Sequence, residues 1–429
     1  MGDQLRRIDR KGLRAAARVL DLELTPAGQL HDDVLPVERY STLWCLSRVN
    51  GLPQEISFWD VTDDTGVRVQ ELRDQLRSDS NPAGQLRPGL PAAGTACRDT
   101  TVVICTRDRV AGLRTTLASL ERQTDPEFQV LVVENGSRAP DSAAAVAESA
   151  LPHCEHVTEP RPGLSRARNR ALEAVHTELV AWLDDDEIAD PGWVHRLKEG
   201  FAHEAKPAAV CGVMLPAELE TEAQVRFEQY GGFNKGRGMA PEVLRAGTPT
   251  VISPLYPLPS FGAGGNMAFR TAELKAVGGF DPCLGAGTRA CGSEEVRALS
   301  LLLSSGHAVL HWPAAITWHT HRREMAALRR QLHGYSAGLS AFYASMLRSR
   351  PAVAFDLVRL VPLMLRDIRH GDENQRSGDL PDDFPAQLRR AARHGLLKGG
   401  FLYAYEAILD RRQPAPAARE GTPSDAAHA

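Results

Sequence analysis

Four consecutive acidic residues form the strongest chemical signal in this sequence. Asp184, Asp185, Asp186 and Glu187 come directly after the apolar run at 179–183. Adjacent carboxylates repel one another beside an apolar segment, so either water or a cation must stabilise them. Mg²⁺ and Mn²⁺ prefer a few carboxylate oxygens together with the phosphate of a substrate. Because the cluster ends the apolar run abruptly, we expect a metal site here, with a solvated acidic loop as the alternative.

A second signal is an arginine-rich segment that precedes this run. Arg161, Arg166, Arg168 and Arg170 lie in or just before the first turns of a predicted helix. The amino end of a helix already favours anions, so this concentration of positive charge opposes the usual preference. A bound phosphate would resolve the conflict, and an exposed arginine-rich helix is the alternative.

The elements that must position these side chains form alternating strands and helices. The apolar segments 100–105 and 128–133 predict two buried strands, with apolar residues at helical spacing between them. The segments 155–158 and 178–183 predict two further strands, separated by a helix that Ser165 would cap. Strand–helix–strand units of this length require a parallel sheet, and ligands bind at the carboxyl ends of its strands. The sequence therefore predicts a nucleotide-binding type of α/β domain.

Composition divides the chain around this domain. A run dense in Pro, Gly, Ser and Ala at 77–98 predicts a linker, and the last residues lack large apolar side chains. The segment 47–61 has a helix-then-strand pattern and no catalytic signature. We expect the following regions: a small amino-terminal domain with its linker at 1–95, the main domain at 98–320, a helical extension at 321–411 and a disordered tail at 412–429.

Charge and composition exclude several classes of protein. The 429 residues carry 50 basic and 54 acidic side chains, a net charge of -4, so nucleic acid is not expected as the main partner. The 7 cysteines are widely spaced and no signal-peptide core begins the sequence, which predicts free thiols in a reducing cytosol. The apolar segment 351–365 is too short and too charged to span a bilayer; it predicts a packed or solvated amphipathic helix, with peripheral contact to a membrane as the alternative.

The chain from Thr101 to about Tyr343 resembles glycosyltransferase family 2, whose inverting enzymes have the GT-A fold and use nucleotide-sugar donors. The matching motifs, in order, are VVICTRDR, LVVENGS, EPRPGLSRARNRAL, LVAWLDDDEIADPGW, FGAGGNMAFR, VGGFDPCLGAG, the Glu294-Glu295 pair and WHTHRR. Several of these motifs are similar to an actinobacterial subgroup. We therefore expect an α/β protein with the GT-A (nucleotide-diphospho-sugar transferase) fold, a small amino-terminal α+β domain and a helical carboxy-terminal extension.

The resemblance implies a metal site at the acidic cluster. The predicted ligands of Mn²⁺ or Mg²⁺ are Asp184, Asp186 and His319, and Asp186 is the expected direct ligand. A cation there would stabilise the negative charge that grows on the departing diphosphate. His319 and His321 lie two apart, so both point to one side of an extended chain. A merely packed or solvated histidine is the alternative for His319.

The resemblance also implies a site for the nucleotide-sugar donor. The predicted residues are Thr106, Arg109, Glu134, Arg168, Asp184, Asp185, Gly264, Gly265 and Asn266. Glu134 stands where the family has an Asp that contacts the base or ribose, which leaves the base unidentified. The glycine-rich loop implies a close approach of backbone to the donor sugar, and glycines that serve only turns are the alternative.

The general base is predicted in the Glu294-Glu295 pair. Inversion needs a carboxylate that takes the proton of the acceptor hydroxyl as this attacks the anomeric carbon. In the family this is the Asp of a Glu-Asp pair, and Glu295 occupies that position here, with Glu294 as the alternative. The added methylene shifts the carboxylate by roughly 1 Å, which can cost about a hundredfold in rate unless the backbone adjusts.

Together these features predict a cytoplasmic transferase. It would move a hexosyl or related sugar to a hydroxyl or amine of an unidentified small-molecule, glycan or peptide acceptor. A non-catalytic nucleotide-sugar-binding protein of the same fold is one alternative, favoured by Glu134 and Glu295. A nucleotidyltransferase is another, although the loop after the first strand, TRDRVAG, has only one glycine.

Overall fold

A computed structural model describes residues 5–24, 34–35, 40–61, 67–79, 99–138, 141–235, 237–249, 251–257, 261–370 and 380–412. The predicted tail lies outside these residues from position 413 onward. The predicted linker lies outside them as well, apart from residues 77–79, which belong to a helix.

The amino-terminal region is built on a four-stranded sheet. Its elements are β1 (Leu5–Ile8), β2 (Ala17–Glu23), β3 (Val34–Leu35), β4 (Thr42–Val49), β5 (Leu52–Val61), β6 (Val67–Arg68) and α1 (Val69–Asp79). The sheet has the strand order β1, β5, β4, β2, and β3 and β6 form a separate pair. This arrangement confirms the predicted α+β character of the region.

The helix-then-strand pattern predicted for residues 47–61 is wrong. These residues form a hairpin, in which Asn50 and Gly51 connect β4 to β5 with φ angles of 52° and 73°. Asn and Gly tolerate this left-handed conformation, and an Asn-Gly turn suits the twist of paired strands. The Asn-Gly pair between two apolar runs was the signal for a hairpin.

The central region alternates strands and helices, which confirms the predicted α/β class. Its strands are β7 (Thr100–Thr106), β8 (Gln129–Asn135), β9 (Cys154–Glu159), β10 (Leu179–Asp184), β11 (Glu187–Ala189), β12 (Ala209–Pro216), β13 (Glu242–Leu244), β14 (Asn266–Arg270) and β15 (Val309–His319). Its helices are α2 (Val110–Leu120), α3 (Ser142–Glu148), α4 (Leu164–Ala174), α5 (Trp193–Ala202), α6 (Glu222–Gln229), α7 (Thr271–Ala276) and α8 (Glu294–Ser304).

All these strands join one sheet, most of it in the order β11, β15, β12, β14, β10, β7, β8, β9, with β13 beside β15. Strands β10, β7, β8 and β9 run parallel, so their carboxyl ends meet at one edge. Val102 and Val103 of β7 are both buried, in the apolar clusters on opposite faces of the sheet. A strand covered on both faces needs apolar residues at successive positions, which is why the run at 100–105 has no polar alternation.

Helix α4 begins differently from the prediction that Ser165 caps it. Gly163 precedes the helix with a φ of 134°, a conformation that glycine adopts readily, and the Ser165 hydroxyl donates to the Leu284 carbonyl at 2.8 Å. Ser165 therefore ties α4 to the chain that precedes α8, rather than satisfying the first N–H groups of its own helix.

The amino-terminal sheet packs directly against the central sheet. Trp44 and Phe58 share an apolar cluster with Val213 of β12, Ile316 of β15 and Leu219. The Arg48 guanidinium also bonds the Asp190 carboxylate at 2.6 Å, just after β11. The amino-terminal sheet thus supports β12, β15 and the residue that follows β11.

Three long helices follow the central sheet, as the predicted helical extension requires. They are α9 (Met325–Ser349), α10 (Val353–His370) and α11 (Ala386–Arg412). Helix α11 lies close against α9, because a Cβ at Gly395 would come within 2.1 Å of the His333 carbonyl oxygen, and one at Gly399 within 1.9 Å of that of Ala337. Within the described part of the chain, no helix is long and apolar enough to cross a membrane.

Candidate active site

A cavity of about 560 Å³ opens at the carboxyl ends of β7, β8 and β10, with α8 and α9 on its other side. The predicted site residues that line it are Thr106, Arg109, Arg168, Asp184, Asp185, Asp186, Gly264, Gly265, Glu294, Glu295 and His319. The fold thus brings together residues that are up to 213 positions apart in the chain (319 − 106).

Asp185 is the member of the acidic cluster that is held by the protein itself. The Thr106 hydroxyl donates to its carboxylate at 2.7 Å and the Arg109 guanidinium at 3.1 Å. Arg109 reaches Asp186 as well, at 2.8 Å. Asp185 is 6% exposed, and this burial raises its pKa, while Thr106 and Arg109 oppose the rise. Its main contribution is therefore to fix the loop after β10.

Asp184 and Glu187 are carboxyl groups whose ionised forms the protein compensates poorly, so both favour the protonated form. Burial raises the pKa of Asp184 to about 7, with Arg168 opposing the rise and the neighbouring aspartates adding to it. Glu187 is fully buried, the Thr317 hydroxyl opposes the shift only weakly because it makes no well-formed hydrogen bond to the carboxylate, and the pKa of Glu187 is raised well above the usual value. Burial is the main cause again, and Asp184 adds to it.

Gly265 lies directly against these two carboxylates. A Cβ at this position would come within 1.8 Å of Glu187 Oε1 and 2.8 Å of Asp184 Oδ2. Glycine is therefore required by the carboxylates beneath it, in addition to any approach of a ligand above it. The sequence prediction of a close backbone approach did not include this steric reason.

His319 lies beside the acidic cluster, on the neighbouring strand. It ends β15 opposite Glu187 of β11, and its Nε2 lies 3.8 Å from Asp186 Oδ2. Burial lowers the pKa of His319 to about 4, although Asp186 opposes the shift. The ring is therefore neutral near pH 7 and has a nitrogen lone pair to share.

These residues fit a hard divalent cation. Asp184, Asp186 and His319 line the cavity with oxygen and imidazole donors, and Asp184 would release its proton when a cation binds. In the described residues, no group of three or more His, Cys, Asp or Glu side chains is placed so that it could hold a metal ion by itself. Mg²⁺ and Mn²⁺ commonly take only one or two carboxylates and complete their shell with water and phosphate.

Arg168 connects the acidic cluster to the start of α8. Its guanidinium donates to Glu294 at 2.9 Å and to the Gly264 carbonyl at 2.9 Å, and lies 3.7 Å from Asp184. It is 1% exposed and stacks near the rings of Trp182 and Phe280. Arg168 therefore organises the site through protein contacts.

The other arginines of this segment are paired within the protein, whereas the sequence predicted a bound phosphate or an exposed helix. Each has a carboxylate partner: Arg161 bonds Glu159, Arg166 bonds Asp410 and Arg170 bonds Glu173. The conflict with the helix dipole is thus resolved by acidic side chains from several elements, which sequence spacing alone could not show.

The two glutamates that begin α8 have different environments. Glu294 is buried and accepts the hydrogen bond of Arg168, whereas Glu295 faces the cavity. Burial and the neighbouring Glu294 raise the pKa of Glu295 to about 8, and Arg168 opposes the rise. Ser293 immediately before them has a φ of 68°, which turns the start of α8 toward the cavity.

Glu134 and Asn266 are the predicted donor-site residues that do not line the cavity. Glu134 accepts from the Ser142 hydroxyl at 2.6 Å and lies 3.3 Å from His156 Nε2, so it points toward α3 and β9. The next residue, Asn135, lines the cavity instead. Successive side chains of a strand point to opposite faces, and this alternation was the signal that Glu134 and Asn135 differ.

Asn266 has a structural role in the sheet. Its amide donates to the carbonyls of Val213 and Ala315 at 2.9 and 3.0 Å, and its Oδ1 accepts from the Trp193 indole at 2.9 Å. The side chain is fully buried with these partners. Asn266 therefore fixes the backbone at the point where the glycine-rich loop ends and β14 begins.

Sequence reasoning missed an aromatic wall of the cavity. Tyr230 and Phe233 after α6 and Tyr335 on α9 line it, together with Lys235, which lies within 6.0 Å of the Tyr230 ring and 5.4 Å of the Tyr335 ring. These residues lie about one hundred positions apart in the chain, so only the packing of α9 against α6 reveals the wall.

Part of the chain matches a family of known proteins. Residues 101–276 match the model of "Glycosyl transferase family 2". A pre-mycofactocin glycosyltransferase of Mycobacterium tuberculosis (strain ATCC 25618 / H37Rv) is 29% identical over 256 residues, which are 58% of this chain and 48% of the relative. A glucosyl-dolichyl phosphate glucuronosyltransferase of Haloferax volcanii is 24% identical over 191 residues, 42% of this chain and 55% of that protein.

Among solved structures, the mannosyltransferase PcManGT from Pyrobaculum calidifontis, in complex with GDP-Man and Mn²⁺, aligns with a TM-score of 0.49 and 17% identity. The alignment covers 74% of this chain and 89% of that one. The chain spans about half the length of the curated relatives it matches. As the ordered motifs indicated, the segment 101–276 belongs to glycosyltransferase family 2.

Proposed function

We propose that this protein is an inverting, metal-assisted glycosyltransferase that moves a sugar from a nucleoside-diphosphate sugar to an acceptor hydroxyl or amine. The observation that carries the proposal is the convergence of two carboxylate groups on one cavity. Asp184 and Asp186 lie at the strand end and Glu295 at the start of α8, with Arg168 between them. Displacement at an anomeric carbon needs both parts, one for the leaving group and one for the nucleophile.

The strand-end side would hold the donor. Asp184, Asp186 and His319 are the proposed ligands of Mn²⁺ or Mg²⁺, which when bound neutralises the departing diphosphate. Arg109 orients Asp186 through its bond at 2.8 Å, and Gly264 and Gly265 leave room for the sugar above the carboxylates of Asp184 and Glu187. The neutral His319 supports this assignment, since a metal ligand needs an imidazole lone pair.

The helix-start side would move the proton. Glu295 takes the hydroxyl proton of the acceptor on a carboxylate oxygen while Glu294 stays bonded to Arg168. A pKa of about 8 makes Glu295 a stronger base than an exposed carboxylate, which favours proton transfer near neutral pH. The same environment explains how a glutamate can serve where the family has aspartate.

The acceptor would lie against the aromatic wall. Phe233 and Tyr335 lie on the cavity side formed by α6 and α9, which is the side where α8 presents Glu295. Aromatic faces pack well against sugar rings and other planar or apolar groups. The helical extension would then contribute acceptor contacts that the 101–276 segment lacks.

Donor hydrolysis tests the proposal. The protein is incubated with UDP-, GDP- and dTDP-sugars and Mn²⁺, and we expect slow hydrolysis of one of them by wild type and none by Asp186→Ala. Asp383→Ala is the matched control, because Asp383 also bonds an arginine, Arg226 at 2.6 Å, on the surface outside the cavity. It should hydrolyse the donor like wild type. Nucleotide binding by wild type without turnover of any donor or across an acceptor panel would show a binding protein instead.

A further inference from the structure

Four buried side chains form a hydrogen-bonded chain from the acidic cluster to the amino-terminal sheet. His319 Nδ1 lies 3.0 Å from His321 Nδ1, and His321 Nε2 lies 3.1 Å from Glu228 Oε1. The Trp44 indole N–H then donates to Glu228 Oε2 at 3.1 Å. All four side chains are at most 5% exposed, so water does not compete for these bonds. We call these residues the relay.

The Glu228 carboxylate, at one end of the relay, determines which atom donates in each of its hydrogen bonds. A carboxylate oxygen accepts hydrogen bonds, and each oxygen of Glu228 has an N–H donor beside it, from Trp44 and from His321. His321 must therefore donate from Nε2. A neutral imidazole has one N–H, which leaves His321 Nδ1 as the acceptor and makes His319 Nδ1 the donor. His319 Nε2 then carries a lone pair, 3.8 Å from Asp186 Oδ2.

The surrounding packing fixes the two imidazole planes. The Phe233 ring lies edge-on to His319 with centroids 5.0 Å apart, and the Phe227 ring lies edge-on to His321 at 4.8 Å. Gly232 leaves room for the Glu228 carboxylate, because a Cβ at position 232 would come within 2.2 Å of Glu228 Oε1. Neither ring can rotate to exchange its nitrogens without displacing these neighbours.

We infer that Glu228, held by Trp44, is a positioning residue that acts through His321 to keep the Nε2 lone pair of His319 directed at Asp186 and the cavity. The inference rests on the proposed function, since His319 needs that lone pair only if it binds a cation. Histidine ligands of metals usually donate their other N–H to a carboxylate. Here a second imidazole lies between the ligand and the carboxylate.

The relay also assigns a role to the amino-terminal sheet. Trp44 is on β4, and its indole supplies one of the two hydrogen bonds that orient the Glu228 carboxylate. A residue 140 positions before Asp184 thus acts on the site through three other side chains (184 − 44). The amino-terminal region, which has no catalytic signature of its own, would thus complete the metal site of the central region.

Metal affinity and tautomer state test the relay together. Mn²⁺ is titrated calorimetrically into protein saturated with UDP, GDP or dTDP, and the ¹⁵N shifts of His319 are read in the metal-free protein. Glu228→Gln has only one oxygen for two donors, so its NH₂ must face either His321 or Trp44. We expect this variant to bind Mn²⁺ about 10–100-fold more weakly, as is typical for loss of such an outer partner. Wild type should show a protonated Nδ1 and an unprotonated Nε2 on His319.

A rescue separates positioning from general damage. Adding Trp44→Phe to Glu228→Gln removes the competing donor, so the amide oxygen can accept from His321 and part of the Mn²⁺ affinity should return. Trp59→Phe is the control, because Trp59 is equally buried on the adjacent strand and bonds only the nearby Ser57 at 2.9 Å. It should bind Mn²⁺ like wild type.

The outcomes distinguish the relay from the proposed function. Wild type that binds no Mn²⁺ contradicts the metal site, and the tautomer of His319 in the metal-free protein still tests the relay. Mn²⁺ binding by Glu228→Gln equal to that of wild type, or a proton on His319 Nε2 in wild type, would overturn the relay and leave the metal site intact. If Glu228→Gln does not fold, the wild-type spectrum still decides the question.

Discussion

Two groups of carboxylates face each other across Arg168, and they differ in how their charge is compensated. The strand-end group, Asp184 to Glu187, has four carboxylates, of which Arg109 bonds only Asp185 and Asp186. The helix-start group has Glu294 bonded to Arg168 and Glu295 beside it. The first group has carboxyl groups whose ionised forms need a cation, and the second has one carboxyl group whose proton can exchange. The same residue type thus supports two kinds of chemistry, because its neighbours differ.

Removing the side chain that separates the two groups should have the largest effect. Arg168→Met leaves Glu294 buried without its cation, and breaking a buried pair in this way costs about 3–5 kcal/mol of the free energy of unfolding. Chemical denaturation measures the loss. The double variant Arg168→Met with Glu294→Gln should recover part of it, because the uncompensated charge is then removed as well.

Arg170→Met is the matched control for this prediction. Arg170 lies on the same helix and bonds Glu173 at 3.1 Å, but both side chains reach solvent. Exposed pairs of this kind contribute about 0.2–1 kcal/mol. Equal losses for the two variants would mean that Arg168 serves only to pack against Trp182 and Phe280.

Replacing the proposed base, Glu295, should show that the helix-start group serves turnover and the strand-end group serves binding. Glu295→Gln keeps the size and hydrogen-bonding reach of the side chain but cannot take a proton, so transfer should slow by about 10²–10⁴-fold. Mn²⁺ and nucleotide binding, measured by calorimetry, should stay within about twofold of wild type, which corresponds to less than ~0.5 kcal/mol. Asp186→Ala should show the reverse pattern, with binding lost together with turnover.

The pH profile sharpens the same test. Since burial and Glu294 raise the pKa of Glu295 to about 8, the active carboxylate form increases up to that pH. The kcat/KM of wild type should therefore rise with pH between 6 and 8 and level off above it. A flat wild-type profile, or a residual activity of Glu295→Gln that keeps the same slope, would assign the base to another group.

How much of the structure could be predicted from the sequence depends on whether a feature is set by residues close together or far apart in the chain. The parallel strands and the loop positions of Asp184 to Asp186 followed from local apolar runs, and the structure has them where expected. The motif resemblance identified Glu295 and His319 as cavity residues, although they lie far along the chain. Pairings set by packing were missed: Arg166 with Asp410, and Glu134 with Ser142. No spacing rule encodes which distant carboxylate a buried arginine will meet.

The smallest expected effect is the change of the free energy of unfolding with pH. It again distinguishes the strand-end group of carboxylates from the helix-start group. His319 acts in the opposite sense only near pH 6.5, where about half of the unfolded chains hold its proton, because its pKa falls from 6.5 to about 4 on folding. Asp184 and Glu295, with pKa values of about 7 and about 8, still hold protons in the folded protein that the unfolded chain has already released. Since the folded state binds more protons in this window, the free energy of unfolding must fall as the pH rises.

Thermal unfolding in the presence of EDTA measures this fall. We expect the Tm of wild type to decrease from pH 6.5 to 8, and the decrease to be smaller in Glu295→Gln, which has no carboxyl proton to lose at that position. Mn²⁺ with nucleotide should restore the Tm at pH 8 more than at pH 6.5, because the cation competes with protons for the strand-end carboxylates. An equal restoration at both pH values would show that the cation binds away from Asp184.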